Sequence, residues 1–494
     1  MADKILVFMF VRKIKSRKST CFQIGEKRYG RFKLIKHVGC ASTNDEIEAL
    51  QVKSKQELED LIFKNQISLF PEIKKSFKAK LLNWNITGYH IVFGKVYDLV
   101  GFPNNMLRDL VVARIVHPRS KDATVRYLRD YLGIMLSKDR IYRFLDILDK
   151  NKLTEIAYEF VSLKNKGISL IFYDVTTLHF ETEKEDEFRK KGFSKDHRGD
   201  MPQILIGLFV DYEGYPFDFD FFEGNTFEGH TFKISVEKLI RKYQFENLTV
   251  VADAGMLSED NLSYLDVKKI NYIVGARLKN TKEKTIKQII DHDYIIESIH
   301  EIKLDTQRLI IEYSEDRAKK DAKNREKIID KLKKKLETGK PVVHKNKFLV
   351  WGNKDKITSL DDKKIKADEQ FDGLKGYVTN SNNQSNFKEI IDQYHNLWKV
   401  EKAFRMSKSD LRERPIFHQK IKRIKSHLIL CFVSLLVMKE AEKILKRKNY
   451  TIEKTIEIIG KVGEGEIRIG NTKMPLESEL NQDTKDILKL FLGH

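Results

Sequence analysis

Apolar and polar positions change their period several times along the chain, and each change marks an element boundary. Over the first forty residues, short alternations in "ILVFMFVRKI" and "STCFQIGEKRYGRFKLIKHVG" predict strands joined by turns. From about 45 to 165 the spacing becomes helical, in "TNDEIEALQVKSKQELEDLIF", "NMLRDLVVARIVHPRSKDATVRYLRDYLG" and "SKDRIYRFLDILDK", with breaks at His117-Pro118 and Gly133. At Gly167 strands return. "GISLIFYDVTTLHF" is a nearly continuous apolar strand interrupted by Asp174, and "PQILIGLFVDYEGYPFDFDFFEG" reads as two strands around a turn at Glu213-Gly214. A helix over "HTFKISVEKLIRKYQ", a strand over "LTVVADAG" ending at Asp253, a Ser-capped helix over "SEDNLSYLDVKK" and a strand over "NYIVGARL" complete the run. The predicted order is β-β-β-α-β-α-β.

Residues 281–375 interrupt this alternation. "DYIIESIHEIKLDTQRLIIEYSE" and "PVVHKNKFLVWG" read as strands, separated by the charged helix "RAKKDAKNREKIIDKLKKKLETGK". Such a helix is usually solvated, and beside a polyanion it would also serve as a backbone clamp. Helices resume at 384–411 and 417–447, and the last forty-five residues form a small tail. The segments expected are a basic β-meander over 1–44, a helical DNA-binding region over 45–165, an α/β core over 166–280 and 376–447, a β-rich insertion over 281–375, and a tail domain over 448–494.

"YHNLWKVEKAFRMSK", residues 394–408, is helical in pattern but places a carboxylate among aromatics and bases. Tyr394, Glu401 and Lys408 recur every seven residues, about two helical turns, with Leu397, Trp398, Phe404 and Arg405 between them. On this stretch alone the plainest account is an i, i+4 ion pair of Glu401 with Arg405. Carboxylates elsewhere that need a third partner would change that account.

Composition narrows the partner. With 494 residues the chain is too long for one core, so about two to four domains are expected. Its 92 Lys+Arg against 72 Asp+Glu give a formal charge of +20, and ten bases to one acid, Glu26, lie between Arg12 and Lys36. Basic side chains displace the counterions condensed on phosphates, so nucleic acid is favoured. An acidic membrane surface or a Lys-rich proteome would give the same total. Cys21, Cys40 and Cys431 lack CxxC spacing, so neither a disulfide framework nor a zinc site is readable, and a reducing, cytosolic compartment is expected. The apolar run "HLILCFVSLLVM" is shorter than the roughly 20 residues of a membrane span and reads as a buried core helix. No GK[ST] phosphate loop and no HExxH motif occurs, which argues against a nucleotide-driven machine and a zincin. "EGNTFEGHTF" contains Glu223, Asn225, Glu228 and His230, but its turn glycines favour an ordinary loop.

The chemistry rests on two acids in apolar surroundings. Burying the carboxylate of Asp174 inside a strand of Ile, Phe and Val is costly unless a metal or base compensates it. Asp253 ends another apolar strand before Ala254-Gly255, where a small turn opens space. On neighbouring parallel strands the two would aim at one point, and a third carboxylate from a packed helix would complete a site for two divalent ions roughly 3.5–4 Å apart. Glu401 supplies that third group, flanked by Tyr394 and Lys408.

These residues resemble insertion-sequence transposases with an RNase H-like DDE domain, in the branch with a β-rich insertion before the final Glu. The resemblance runs through most of the chain and rests on "YDVTT", "PQILIGLFVDYEGYPFDFDFFEGNT", "VVADAGMLS", "RAKKDAKNREK" and "YHNLWKVEKAFRMSKSDL" in that order. The family signature Y-x2-R-x3-E-x6-K matches at Tyr394, Glu401 and Lys408, whereas Leu397 stands where Arg is expected, with Arg405, Lys399 and Lys402 as possible substitutes. The resemblance implies that Asp174, Asp253 and Glu401 bind two Mg2+ ions, with Mn2+ able to substitute. It implies that Tyr394 and Lys408, with Arg405 near them, contact DNA. It further implies a prokaryotic, nucleoid-associated enzyme, homodimeric in its synaptic complex, acting on its element's terminal inverted repeats and on target DNA. A DDE nuclease without strand joining and a non-catalytic repressor derived from a transposase are the competing readings.

Overall fold

The computed structural model describes residues 9–16, 19–28, 30–69, 79–193, 199–256, 258–294, 298–338, 346–351, 357–381, 386–414, 416, 418–469 and 471–492. The chain divides into two compact units: Met1–Asn83 with Gly465–Leu476, and Trp84–Glu464 with Glu477–His494.

In the first unit β1 (Met9–Lys15), β2 (Thr20–Arg28) and β3 (Arg31–Ala41) form the predicted antiparallel meander, followed by α1 (Asn44–Leu69). Bases on its faces stack over rings, Arg12 over Phe32 and Lys13 over Phe22. One expectation is corrected here: Cys21 and Cys40 are direct partners in the β2–β3 register and form a disulfide. Strand register brings them together, and their spacing in sequence gives no sign of it. β4 (Ala79–Ile86) lies within the stretch that the pattern reads as helical.

The second unit opens with α2 (Lys95–Val100), α3 (Asn105–Val116), α4 (Lys121–Leu132), α5 (Lys138–Leu145) and α6 (Lys150–Asn165). From α3 to α6 each helix starts at an Asn, Ser or Asp (Asn104, Ser120, Ser137, Asp149) whose side-chain oxygen accepts a first-turn N–H. α4 ends at Gly133, in the left-handed region at φ +66°, where the sequence predicts a break.

Next come β5 (Leu170–His179), β6 (Gln203–Asp211), β7 (Pro216–Glu223), α7 (Glu228–Lys242), β8 (Thr249–Ala252), α8 (Glu259–Val267) and β9 (Asn271–Ala276), the predicted order. α9 (Glu283–Ile290), β10 (Ile299–Lys303), β11 (Arg308–Tyr313), α10 (Glu315–Glu337), β12 (Leu349–Trp351), β13 (Ile357–Leu360), α11 (Asp362–Glu369) and β14 (Leu374–Thr379) follow. The chain then forms α12 (Phe387–His395), α13 (Trp398–Arg405), α14 (Ile421–Leu445), α15 (Ile452–Ile459), β15 (Gly463–Ile469), β16 (Thr472–Glu477) and α16 (Gln482–Leu492). A three-stranded sheet runs β16-β15-β4, joining two stretches far apart in sequence.

One sheet of eight strands, ordered β10-β11-β14-β9-β8-β5-β6-β7, organises the second unit. β5, β8 and β9 are mutually parallel at its centre, and the outer pairings are antiparallel. β10 and β11 come from the stretch that breaks the sequence pattern, yet they extend the central sheet through β14. Of the described strands in that stretch, β12 and β13 pair apart from it. The charged α10 is anchored: Arg325, 8% exposed, makes a bidentate pair with Asp372 at 2.5 and 2.7 Å.

α14 is buried from Ser426 to Met438 and packs on α3 and β7. Each large apolar side chain so removed from water contributes roughly 1.5–3 kcal/mol, which explains a helix apolar all round. Among the described residues no helix is long and apolar enough to cross a membrane.

Candidate active site

The parallel β5–β8 ladder pairs Tyr173 with Ala252. The next residue along the chain is an aspartate in both cases, Asp174 within β5 and Asp253 just past the end of β8, so the two stand on neighbouring segments one strand spacing of about 5 Å apart. Both are half-buried. Asp174 accepts the Val175 N–H at 2.7 Å; Asp253 accepts the Gly255 N–H at 2.8 Å as the chain turns through Ala254–Met256. That turn needs small residues, because a Cβ on Gly255 would come within 2.9 Å of the Asp253 carboxylate.

Glu401 arrives from α13, which packs against β5 and β6. The stretch 394–408 is not one continuous helix. α12 ends at His395, α13 begins at Trp398, and residues 406–410 form a wide π-turn. Val400, Ala403 and Phe404 are buried while Glu401 and Arg405 face outward, and the ion pair of Glu401 with Arg405 does not form. The seven-residue spacing therefore does not place Tyr394, Glu401 and Lys408 on one helical line. Tyr394 nevertheless stays near enough to Glu401 for the carboxylate charge to act on its phenol. Lys408 sits in the π-turn, half-buried, where its charge bears on the buried Glu413.

Tyr394 is the hub of this region. Its hydroxyl lies against Gly275 on β9, in the space a Cβ would fill, beside the Ala254 N–H. Burial, then the charges of Asp253 and Glu401, push its phenol up to about 12, with Asp174 adding to the shift and Arg317 opposing it. All three carboxylates thus act on one side chain. Lys375 of β14 lies over the Tyr394 ring at 4.7 Å. Burial and the Arg317 guanidinium hold its ammonium below the usual lysine range, against the pull of Glu312 and Glu401. Arg317, exposed in the first turn of α10, and Lys375 both line a groove of about 440 Å3, together with Arg277, Lys279 and Lys347.

A sequence profile described as "Transposase DDE domain" (DDE_Tnp_1) matches residues 165–437. The chain belongs to the DDE transposase family. The matched stretch starts just before β5 and ends within α14, so it spans the eight-stranded sheet and the helices bearing Tyr394 and Glu401. The large mixed sheet is consistent with the RNase H-like core of such a domain. A cryo-EM structure of a piggyBac transposase synaptic complex with hairpin DNA is similar at 11% identity, over 76% of this chain and 78% of that one, with a TM-score of 0.39. No curated protein matches the chain.

Among the described residues no group of three or more His, Cys, Asp and Glu side chains is assembled to hold a metal ion. The donor chemistry nevertheless suits one. Three carboxylates supply only oxygen ligands, the kind Mg2+ and Mn2+ prefer, and Mg2+ keeps several waters and asks for few protein donors. Only residues 224–227 of "EGNTFEGHTF" form the β7–α7 turn; Glu223 ends β7, and Glu228, Gly229 and His230 open α7, so the loop reading is corrected for its second half. Lys375 and Arg317 escape sequence reading, because their approach to Tyr394 depends on β14 lying two strands from β8. The one local sign is that Arg317 opens the charged stretch "RAKKDAKNREK".

Proposed function

We propose that this transposase binds the terminal inverted repeats of its own element, cleaves its ends hydrolytically and joins the freed 3′-hydroxyls to target DNA. The observation that supports this reading most is the placement of Asp174, within β5, beside Asp253, just past the end of the adjacent parallel β8, with Glu401 acting on the same tyrosine. Asp174, Asp253 and Glu401 would hold the divalent ions. When bound, such ions supply an activated water or 3′-hydroxyl and stabilise the leaving oxygen of a phosphodiester. Tyr394 orients a phosphate beside the carboxylates, its phenol staying protonated as a donor because its pKa lies far above neutral pH. Lys408 and Arg405 extend the DNA contact along the exposed side of α13 and the π-turn. The basic strands of the first unit add affinity through phosphate contacts, and binding weakens steeply with salt. Two protomers meet in the synaptic complex.

The family's signature arginine has no counterpart at Leu397, which is 6% exposed and belongs to the core. Lys375 takes over its part from β14, with Arg317 behind it. Lys375→Ala is expected to weaken end binding about tenfold, the size of one charge-assisted hydrogen bond, without loss of thermal stability. An anisotropy titration with an end duplex measures it, and wild-type affinity would assign the missing contact elsewhere.

Strand transfer tests the function as a whole. Precleaved ends bearing 3′-hydroxyls should be joined to plasmid DNA in Mg2+, with short direct duplications at the insertion. Cleavage without joining would leave a nuclease, and binding without either would leave a repressor.

A further inference from the structure

Away from the three carboxylates, the loop before α4 and the loop before α14 enclose a cavity of about 570 Å3 whose lining is strongly basic. Arg114, Arg119, Lys121, Lys138 and Arg412 line it, with Asp122 as its one carboxylate. Lys121 is 4% and Arg114 6% exposed. Buried cations normally carry a carboxylate partner, because desolvating an unpaired charge costs several kcal/mol. Here the nearby acids have other partners, although the Arg114 charge also acts on the buried Glu413 carboxyl. Asp122 pairs with Arg126 at 2.5 Å and with Lys138 at 3.7 Å, Asp146 pairs with Arg423 at 3.3 Å, and Glu413 accepts the Ser407 hydroxyl at 2.9 Å. Arg114 spends its guanidinium on the carbonyls of Leu411 and Arg119, and Lys121 has no ion-pair partner among the described residues.

The surroundings compound the excess of positive charge. Lys121 is the first residue of a twelve-residue helix, so the positive end of the helix dipole adds to the positive potential at this end of α4. Arg412 is held in the left-handed region at φ +45°, a conformation rare for arginine. Burial and the Arg114 guanidinium push the Lys121 ammonium down to about 7, a shift that an anion in the cavity would reverse. His418 is driven down to about 4 by burial, then by Lys121 and Arg114, so it adds no charge of its own.

We infer that this cavity is a binding site for a phosphate group, held by Lys121 and Arg412 at the N-terminus of α4. The cavity's size admits one phosphate and part of the molecule bearing it. That molecule is either a nucleic-acid backbone passing over the opening or a free phosphate compound. The site is independent of the metal-binding reading, since none of its residues is among the three carboxylates, and its test has no catalytic readout.

The experiment uses the full chain with inorganic phosphate and with a duplex of arbitrary sequence. Phosphate, against chloride at matched ionic strength, should raise the thermal midpoint of the wild type by about 2 °C or more. Lys121→Met should abolish that rise. Should Lys121→Met fail to fold, Arg412→Gln, at an exposed position, serves the same purpose. Duplex binding over a salt series separates the sources. A fall of about 1 in the slope of log affinity against log salt on substitution assigns the phosphate to DNA. An unchanged slope with the phosphate-dependent rise intact in the wild type assigns it to a free phosphate compound. The inference is overturned if phosphate gives no rise and the salt slope is the same in wild type and variant.

Discussion

Replacing Asp253 by Asn should cut end cleavage about a thousandfold or more while leaving the protein folded and bound to its end DNA. The size follows from what the residue is asked to do. If Asp174, Asp253 and Glu401 act as one metal-binding unit, removing one costs nearly as much as removing all, and the triple variant should be little worse than any single one. Asn keeps the shape of Asp and still accepts the Gly255 N–H, so the turn after β8 survives and only the charge is lost. Stability should hold or rise, because Asp174 and Asp253 stand side by side and neutralising one relieves their mutual repulsion. End binding depends on basic groups and should stay at the wild-type level or tighten slightly. Cleavage assays in Mg2+ and Mn2+, beside a gel shift and a thermal melt on the same preparations, separate these effects. A chelator should stop the wild type and added Mg2+ restore it. Near wild-type cleavage by folded Asp253→Asn protein would reduce the residue to a turn former, and the same result for Glu401→Ala would remove the third ligand.

Much of this arrangement is legible in the sequence because it is local. An acid within "LIFYDVTTLH" is conspicuous, since its neighbours from Leu170 to Leu178 are aliphatic, aromatic or Thr, and the β-β-β-α-β-α-β order follows from the change of period alone. Parallel pairing of β5 with β8 then makes Asp174 and Asp253 neighbours. What escapes reading is set by contacts distant in sequence. β4 reads as part of a helical stretch because its partner, β15, lies near the other end of the chain. Cys21 and Cys40 look unrelated until strand register makes them partners. The same holds for β10 and β11, which appear to interrupt the core and in fact widen its sheet through β14. Residues 394–408 mislead for a different reason. Their apolar spacing suits one helix, but Leu397 turns into the core and divides it, so the seven-residue period is a property of the sequence and not of one helical face.

That division makes the position of Tyr394 depend on a glycine in another strand. Gly275 of β9 leaves the space in which the Tyr394 hydroxyl sits, and a Cβ there would collide with that hydroxyl and lie 3.2 Å from the Ala254 nitrogen. A tyrosine ring is rigid beyond its second torsion, and its Lys375 and Tyr377 neighbours limit where it can go. Gly275→Ala should therefore push Tyr394 away from Asp253 and Glu401 and lower cleavage about ten- to a hundredfold, although residue 275 is neither a proposed metal ligand nor a proposed DNA contact. Tyr394→Phe removes the hydroxyl that causes the collision, and with it one phosphate contact, so alone it should cost about tenfold. The double variant decides the matter. If the two positions act through one contact, Gly275→Ala with Tyr394→Phe should be no worse than the more damaging single variant, because the smaller ring end makes room for the new methyl. Losses that multiply would mean that Gly275 matters through its strand and not through the tyrosine. Wild-type cleavage by Gly275→Ala would mean that the Tyr394 hydroxyl does not need this space, and the tyrosine's tie to the three carboxylates would fall with it.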